Sequence, residues 1–132
     1  MSQNAFELRK DFKILEQFVP QASKIIDLGC GRGELLAHLA ETRKTHGLGI
    51  DLRSEHVSAC LTKGLSAIQG DGEVELVHYP ANSFDLVILS QTLQALAKPH
   101  YTIVEMLRVA NKALGSFPNF SYWKFRSQLL FK

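Results

Sequence analysis

The stretch "KIIDLGCGRGELL", Lys24 to Leu36, joins three kinds of sequence end to end. An apolar run, Lys24–Leu28, reads as a short strand and carries an acid at Asp27. Three glycines follow at every second position, Gly29, Gly31 and Gly33, and helix-forming residues begin at Glu34. A strand that passes through a glycine-rich turn into a helix is the opening of a βαβ unit. Without a β-carbon, the glycines allow unusual backbone angles and let a ligand come close to the main chain. The free amides at the helix start favour a negative group.

Outward from this unit the sequence alternates between two periods. Residues 5–19 place Leu8, Phe12, Leu15 and Val19 on one helical face, stopped by Pro20. A helix over Glu34–Thr42 carries Leu35, Leu36, Leu39 and Ala40 on one side, and "HGLGID", 46–51, reads as a second strand ending in an acid. Ser54 is placed to cap a helix through Lys63, with Val57, Cys60 and Leu61 inward and Gly64 as terminator. "LSAIQGD", 65–71, is a third strand ending in an acid, and "YPANS", 79–83, is a turn. "FDLVILS", 84–90, is the most strand-like run and reads as a central strand covered on both faces. A helix starts near Pro99 and runs to Asn111, and "ALGSF", 113–117, is a weaker fifth strand. Strands alternating with helices of this length predict an α/β fold: one three-layer, Rossmann-like domain over residues 1–132 with a mainly parallel sheet. Ligands of such sheets bind at the carboxyl ends of the strands, where strand order reverses.

Composition narrows the function classes. The chain is 45% hydrophobic and 21% charged, which is ordinary for a globular domain. Its net charge of +2 comes from interspersed acids and bases, so no nucleic-acid partner is indicated. Cys30 and Cys60 stand far apart with no CxxC, which fits free thiols in a reducing compartment and neither a disulfide framework nor a zinc site. The polar start "MSQNAFELRKDFK" lacks a signal-peptide core, and no apolar run approaches membrane-spanning length. A cytoplasmic protein is expected.

The residues that follow each strand are the candidate site. The dinucleotide fingerprint is GxGxxG. Here the spacing is GxGxG, which counts against a nicotinamide or flavin cofactor, and the lysine of a phosphate-binding P-loop is missing. Asp51 ends the second strand 20 residues after Gly31, where an acid accepts hydrogen bonds from both hydroxyls of a ribose. Asp71 ends the third strand, where a carboxylate can accept from an adenine amino group. Leu52 and Gly70, beside these acids, belong to the same candidate set. Asp27 either anchors the loop by accepting backbone amides or meets a ligand amine. Cys30 reads as a small residue in a tight loop, with nothing nearby to mark it as a nucleophile.

"DLGCGRGE" with Asp51 and Asp71 resembles the class I S-adenosylmethionine-dependent methyltransferases. The resemblance implies that the glycine loop cradles the methionine part of S-adenosyl-L-methionine or S-adenosyl-L-homocysteine. It implies ribose binding by the second-strand acid and adenine contact by the third. "DLGCGRGELLAHL", "QGD", "SFDLVILSQTLQAL", "EMLRV" and "SFPNFSYWKFRSQLL" together resemble one family within that group, the methionine biosynthesis protein MetW family. That resemblance implies a role in methionine biosynthesis in support of homoserine O-acyltransferase. Family members continue past the point that corresponds to Lys132. The expectation is therefore a sheet truncated after its fifth strand, with that strand an unprotected edge open to pairing with a second copy.

A catalytic set is not evident. Methyl transfer from a sulfonium needs alignment and exclusion of water more than covalent help, and a base only when the acceptor must lose a proton. After the fourth strand comes "SQTLQ", Ser90–Gln94, without carboxylate or histidine. Ser90 and Gln91 either touch the cofactor or cap the next helix. His38, His46, His56, His78 and His100 are scattered, and all read as solvated or satisfied surface residues; His100 alone is worth testing as a base. No spacing indicates a metal site. The tail concentrates Phe117, Phe120, Tyr122, Trp123, Phe125 and Phe131 among Lys124, Arg126 and Lys132. Packing on further parts of the sheet is the first reading of these aromatics, and a protein interface, including a homodimer, the second. An S-adenosylmethionine-dependent methyltransferase acting on a small molecule is the alternative function.

Overall fold

Ile25, Ile26 and Leu28 of β1 (Lys24–Leu28) are all buried, which fits an apolar run with no polar alternation. Such a strand is stable only when both of its faces are covered. Successive side chains point to opposite faces, and the two cores divide accordingly. Ile26, Leu28, Val87 and Leu89 pack with Leu76, Met106 and Leu107 on one side of the sheet. Ile25, Leu86 and Ile88 pack with Leu15, Val19, Leu36, Leu39 and Cys60 on the other. This computed structural model describes residues 12–90, 95–116 and 122–126.

The order of elements is a helical segment over 12–16 (α1), β1, α2 (Glu34–Arg43), β2 (His46–Asp51), α3 (Ser54–Thr62), β3 (Ser66–Gln69), α4 (Gly72–Glu75), a 3-10 turn at Leu76–His78, β4 (Leu86–Leu89), α5 (Pro99–Val109), β5 (Lys112–Ser116) and β6 (Tyr122–Arg126). Strand order across the sheet is β3-β2-β1-β4-β5-β6. The first five strands are parallel, with Ile26 of β1 opposite Leu48 of β2 and Val87 of β4. Succession runs outward from β1 to β3 and then jumps to β4 on the other side of β1. The switch point thus lies between β1 and β4, and Ser90 N–H donates to Leu28 O across it at 3.0 Å.

The three-layer, Rossmann-like, mainly parallel architecture is the one the alternation predicts. The end of the sheet differs from expectation. β5 is not an open edge, because β6 pairs with it antiparallel from Lys112↔Arg126 to Ser116↔Tyr122. Within "YWKFR", the four residues Trp123 to Arg126 alternate aromatic and basic, a period of two that suits a strand. The route to a homodimer through β5 is therefore closed by the chain itself. Phe117, Phe120 and Phe131 lie outside the described residues, as do Leu8 and Gln91.

Local chemistry explains the helix ends. α3 starts at Ser54 rather than after it, with Arg53 in the capping position, so the expected Ser54 cap is not formed. Its other end closes as expected: Gly64 has φ +81°, Gly64 N–H donates to Leu61 O and Leu65 N–H to Cys60 O, the paired bonds of a Schellman motif. Arg108 ties α5 to the 3-10 turn, donating to Tyr79 O at 2.8 Å and Leu76 O at 3.0 Å. Among the described residues, no helix is long and apolar enough to cross a membrane.

Candidate functional site

The glycine loop is held from β2. Gly29 N–H and Cys30 N–H both donate to Ile50 O, at 2.8 and 3.1 Å, and Gly31 N–H donates to Asp51 Oδ2 at 2.8 Å. Gly29, Gly31 and Gly33 all have positive φ. At Gly33 two requirements coincide. Its φ is +82°, and a β-carbon there would meet Leu65 Cδ1 at 2.6 Å and Cys60 Sγ at 2.8 Å. Only glycine lets the loop turn left-handed while α2 starts hard against α3.

Cys30 fills a gap that Gly49 leaves in β2, where a β-carbon would sit 2.6 Å from its Sγ. The Cys30 and Cys60 sulfurs approach to 3.9 Å, and both thiols donate to Gly31 O. Burial pushes the Cys30 thiol pKa up, and the nearby Asp27 carboxyl adds to the effect. It is a packing residue under the loop, as its sequence context implied.

Two carboxylates flank the loop in different states. Asp51 accepts from Gly31 N at Oδ2 and from Arg53 N and His56 Nδ1 at Oδ1, both at 3.0 Å. Partial burial works to raise its pKa, but the amides of Arg53 and Gly31 and the His56 ring outweigh it and hold the carboxyl below the ordinary aspartate value. Asp27, in β1, is 0% exposed. Its Oδ1 accepts from Ser90 Oγ at 2.6 Å, and its Oδ2 is buried with no partner. Burial raises its pKa to about 7, with the Ser90 hydroxyl opposing and the Asp51 charge adding. The loop-anchoring role expected of Asp27 belongs to Asp51 and Ile50 instead, since Asp27 takes a hydroxyl from across the switch point. The Ser90 hydroxyl thereby serves Asp27.

Asp71 lies two residues beyond β3. It caps α4, its Oδ1 accepting from Glu73 N at 3.0 Å, so the third acid has a structural duty as well as an exposed carboxylate. Gly70 N–H donates to Asp51 O at 2.9 Å, which joins the ends of β2 and β3. Leu52 stands 65% exposed beside Asp51. His100 lies exposed in the first turn of α5 rather than in a loop.

Two further residues, His56 and Glu73, shape this end of the sheet. His56, read as a solvated or satisfied surface residue, is satisfied by Asp51, a partner that one histidine five residues after an acid does not announce by any periodic signal. His38 likewise pairs with Glu16 at 3.1 Å. Glu73 accepts from Ala97 N, Lys98 N and Thr102 Oγ1 at 2.8, 3.2 and 2.6 Å, closing the start of α5. A signal for that contact was present: Pro99 opens a helix whose capping position is Lys98, whose side chain cannot accept, so a side-chain acceptor had to come from elsewhere.

Comparison with known proteins agrees with this geometry. A bifunctional methionine biosynthesis protein MetXA/MetW of Rhodopirellula baltica is 35% identical over 127 residues, 90% of this chain and 20% of that protein. Phosphoethanolamine N-methyltransferase 1 of Arabidopsis thaliana is 30% identical over 98 residues, 70% of this chain and 20% of that protein. The chain thus spans about one fifth of the length of these curated relatives. Among solved structures, a TehB-like S-adenosylmethionine-dependent methyltransferase of Corynebacterium glutamicum superposes with TM-score 0.67 at 21% identity, over 81% of this chain and 61% of that one. The [4+2]-cyclase SpnF superposes with TM-score 0.68 at 20% identity, over 79% and 42%. At these identities the likeness establishes the fold, and a cyclase among the neighbours shows that the fold does not fix the reaction. The model of the family described as methionine biosynthesis protein MetW matches residues 9–132, and the chain belongs to that family.

Proposed function

We propose that this chain is an S-adenosylmethionine-binding protein of methionine biosynthesis that supports homoserine O-acyltransferase. The observation that carries the binding half is the bond from Gly31 N–H to Asp51 Oδ2, which makes the glycine loop and the second-strand acid one unit. A ribose-accepting carboxylate and a turn with accessible backbone are then held in fixed relation at the strand ends. Asp27, Gly29, Gly31 and Gly33 line the methionine side of the site, with Cys30 packed beneath. Asp51, Leu52, Gly70 and Asp71 line the adenosine side, and Ser90 stands at the rim after β4. The unpaired Oδ2 of Asp27 fits a cationic group, because a nearby positive charge would favour its ionised form. When bound, S-adenosylmethionine supplies an electrophilic methyl group on a sulfonium. The chain's own residues bind and orient it. The second half rests on the family and on the relative that is itself a bifunctional MetXA/MetW protein.

Calorimetry with S-adenosylmethionine tests the first half: the protein binds it, and Asp51→Ala weakens binding by roughly tenfold or more, the cost of losing hydrogen bonds to a charged acceptor. No binding by the folded protein overturns the site. Co-purification with homoserine O-acyltransferase, and a change in its acyl-transfer rate, tests the second. A small-molecule methyltransferase is the alternative, favoured by the N-methyltransferases among the relatives. Turnover of S-adenosylmethionine with a metabolite pool would support it, and bound cofactor without turnover would count against it.

A further inference from the structure

Building on the adenosine site proposed above, we propose that His56 sets how strongly that site discriminates a ribose from its deoxy counterparts. Its Nδ1–H holds a position on Asp51 that a vicinal diol needs, so a ligand bearing both ribose hydroxyls must displace it. The inference comes from counting donors. An ionised carboxylate offers about four lone-pair positions, two on each oxygen. Gly31 N–H takes one on Oδ2, and Arg53 N–H and His56 Nδ1 take both on Oδ1. Because the carboxylate can only accept, Nδ1 is the protonated nitrogen in this pair. One position remains, and a diol donating to both oxygens asks for two.

The three donors are not equally removable. Gly31 belongs to the loop that Ile50 and Cys30 fix through the amides of Gly29, Cys30 and Gly33. Arg53 holds the start of α3, its carbonyl accepting from His56 N and Val57 N. Removing either amide would disturb backbone. His56 needs only a side-chain rotation, and the amides on each oxygen keep Asp51 oriented without it. A ligand with a single hydroxyl, or none, can use the remaining position on Oδ2 or leave Asp51 untouched, and His56 stays. The ring therefore weakens diol-bearing ligands selectively.

Calorimetry with S-adenosylhomocysteine and its 2′,3′-dideoxy counterpart tests this. His56→Ala is expected to bind S-adenosylhomocysteine roughly three- to tenfold tighter than wild type, the net worth of one hydrogen bond. The dideoxy ligand should bind both proteins equally. His56→Asn, which returns an amide donor to the same oxygen, should restore the wild-type affinity. Weaker binding by His56→Ala would make the ring an orienting residue and overturn the proposal. Equal shifts for both ligands, or none for either, overturn it as well. Should wild type bind neither ligand, the adenosine site itself fails and the proposal falls with it. ¹⁵N NMR of histidine-labelled wild type needs no variant. The His56 Nδ1 signal should leave its hydrogen-bonded position on addition of S-adenosylhomocysteine but not of the dideoxy ligand. A signal that stays with both is contrary evidence of equal weight.

Discussion

Asp27 and Asp51 lie on neighbouring strands and flank the same glycine loop, yet they are opposite kinds of carboxyl group. Asp51 has three donors and a depressed pKa. Asp27 is fully buried, has one donor and a pKa raised to about 7. Backbone geometry accounts for the difference. Asp51 ends β2 just where the loop and the start of α3 turn their free amides toward it, so donors outnumber the cost of partial burial. Asp27 lies inside β1, between Gly49 and Ile88, where the strand amides are already committed to the sheet. One acid fastens the site and the other is held there at the expense of stability. A buried, half-satisfied carboxyl is the sort of group that functional sites retain.

The largest effect expected from this contrast is a pH dependence of stability owed to Asp27. Its folded pKa, about 7, exceeds the ordinary 3.8. Between those values the folded protein holds a proton that the unfolded chain has released, so stability falls as pH rises through this window. The full difference corresponds to about 4 kcal/mol, at about 1.4 kcal/mol per pH unit. Asp27→Asn removes the titration. Urea denaturation from pH 4 to 8 should show wild type losing stability relative to this variant, and parallel curves would mean that Asp27 is solvated. A constant offset from the buried amide does not affect the slope. The same variant should bind S-adenosylmethionine more weakly, since the negative charge is gone.

The second effect has the opposite sign. The folded pKa of Asp51 lies below 3.8, so its contribution is present above that value and is lost as pH falls through the folded pKa. Asp51→Asn leaves one acceptor oxygen for two backbone amides and presents an NH₂ group to the other. The expected cost near neutral pH is about 3 kcal/mol, the range for losing charge-assisted hydrogen bonds and stranding a donor. The gap to wild type should close as pH drops below 3.8, where wild type loses the same charge. An unchanged gap in acid would show that the carboxylate's charge is not what holds the loop.

Much of this was legible in the sequence because it is written in period and punctuation. β1 to β5, the loop and the glycine at the end of α3 follow from apolar runs and glycine positions. The acids could be located for the same reason, since strand ends can be counted. What Asp27 and Glu73 do could not, because that depends on partners distant along the chain. Ser90 reaches Asp27 from 63 residues away and Glu73 reaches α5 from 24 to 29. β6 was missed for a different reason. Four alternating residues, Trp123 to Arg126, behind a proline-containing segment are too short a signal to mark a strand, and only pairing with β5 identifies one.

The smallest effect isolates the one bond Asp27 does make. The Ser90 hydroxyl donates to Asp27 Oδ1 at 2.6 Å and opposes the rise in its pKa. Ser90→Ala should therefore move the Asp27 titration above its wild-type midpoint of about 7, visible by ¹³C NMR of the labelled carboxyl. The stability cost should itself depend on pH. Around pH 8 the hydroxyl meets a carboxylate and its loss costs about 2 kcal/mol, the value for a bond to a charged group. Around pH 5 it meets a neutral carboxyl and costs about 1 kcal/mol. The two measurements are linked, since a bond stronger to the charged form must lower the pKa by the same free energy. A variant that titrates like wild type would mean that Ser90 does not touch Asp27 in solution. The switch point would then be held by the Ser90 backbone amide alone, and Asp27 would owe its state to burial and to Asp51.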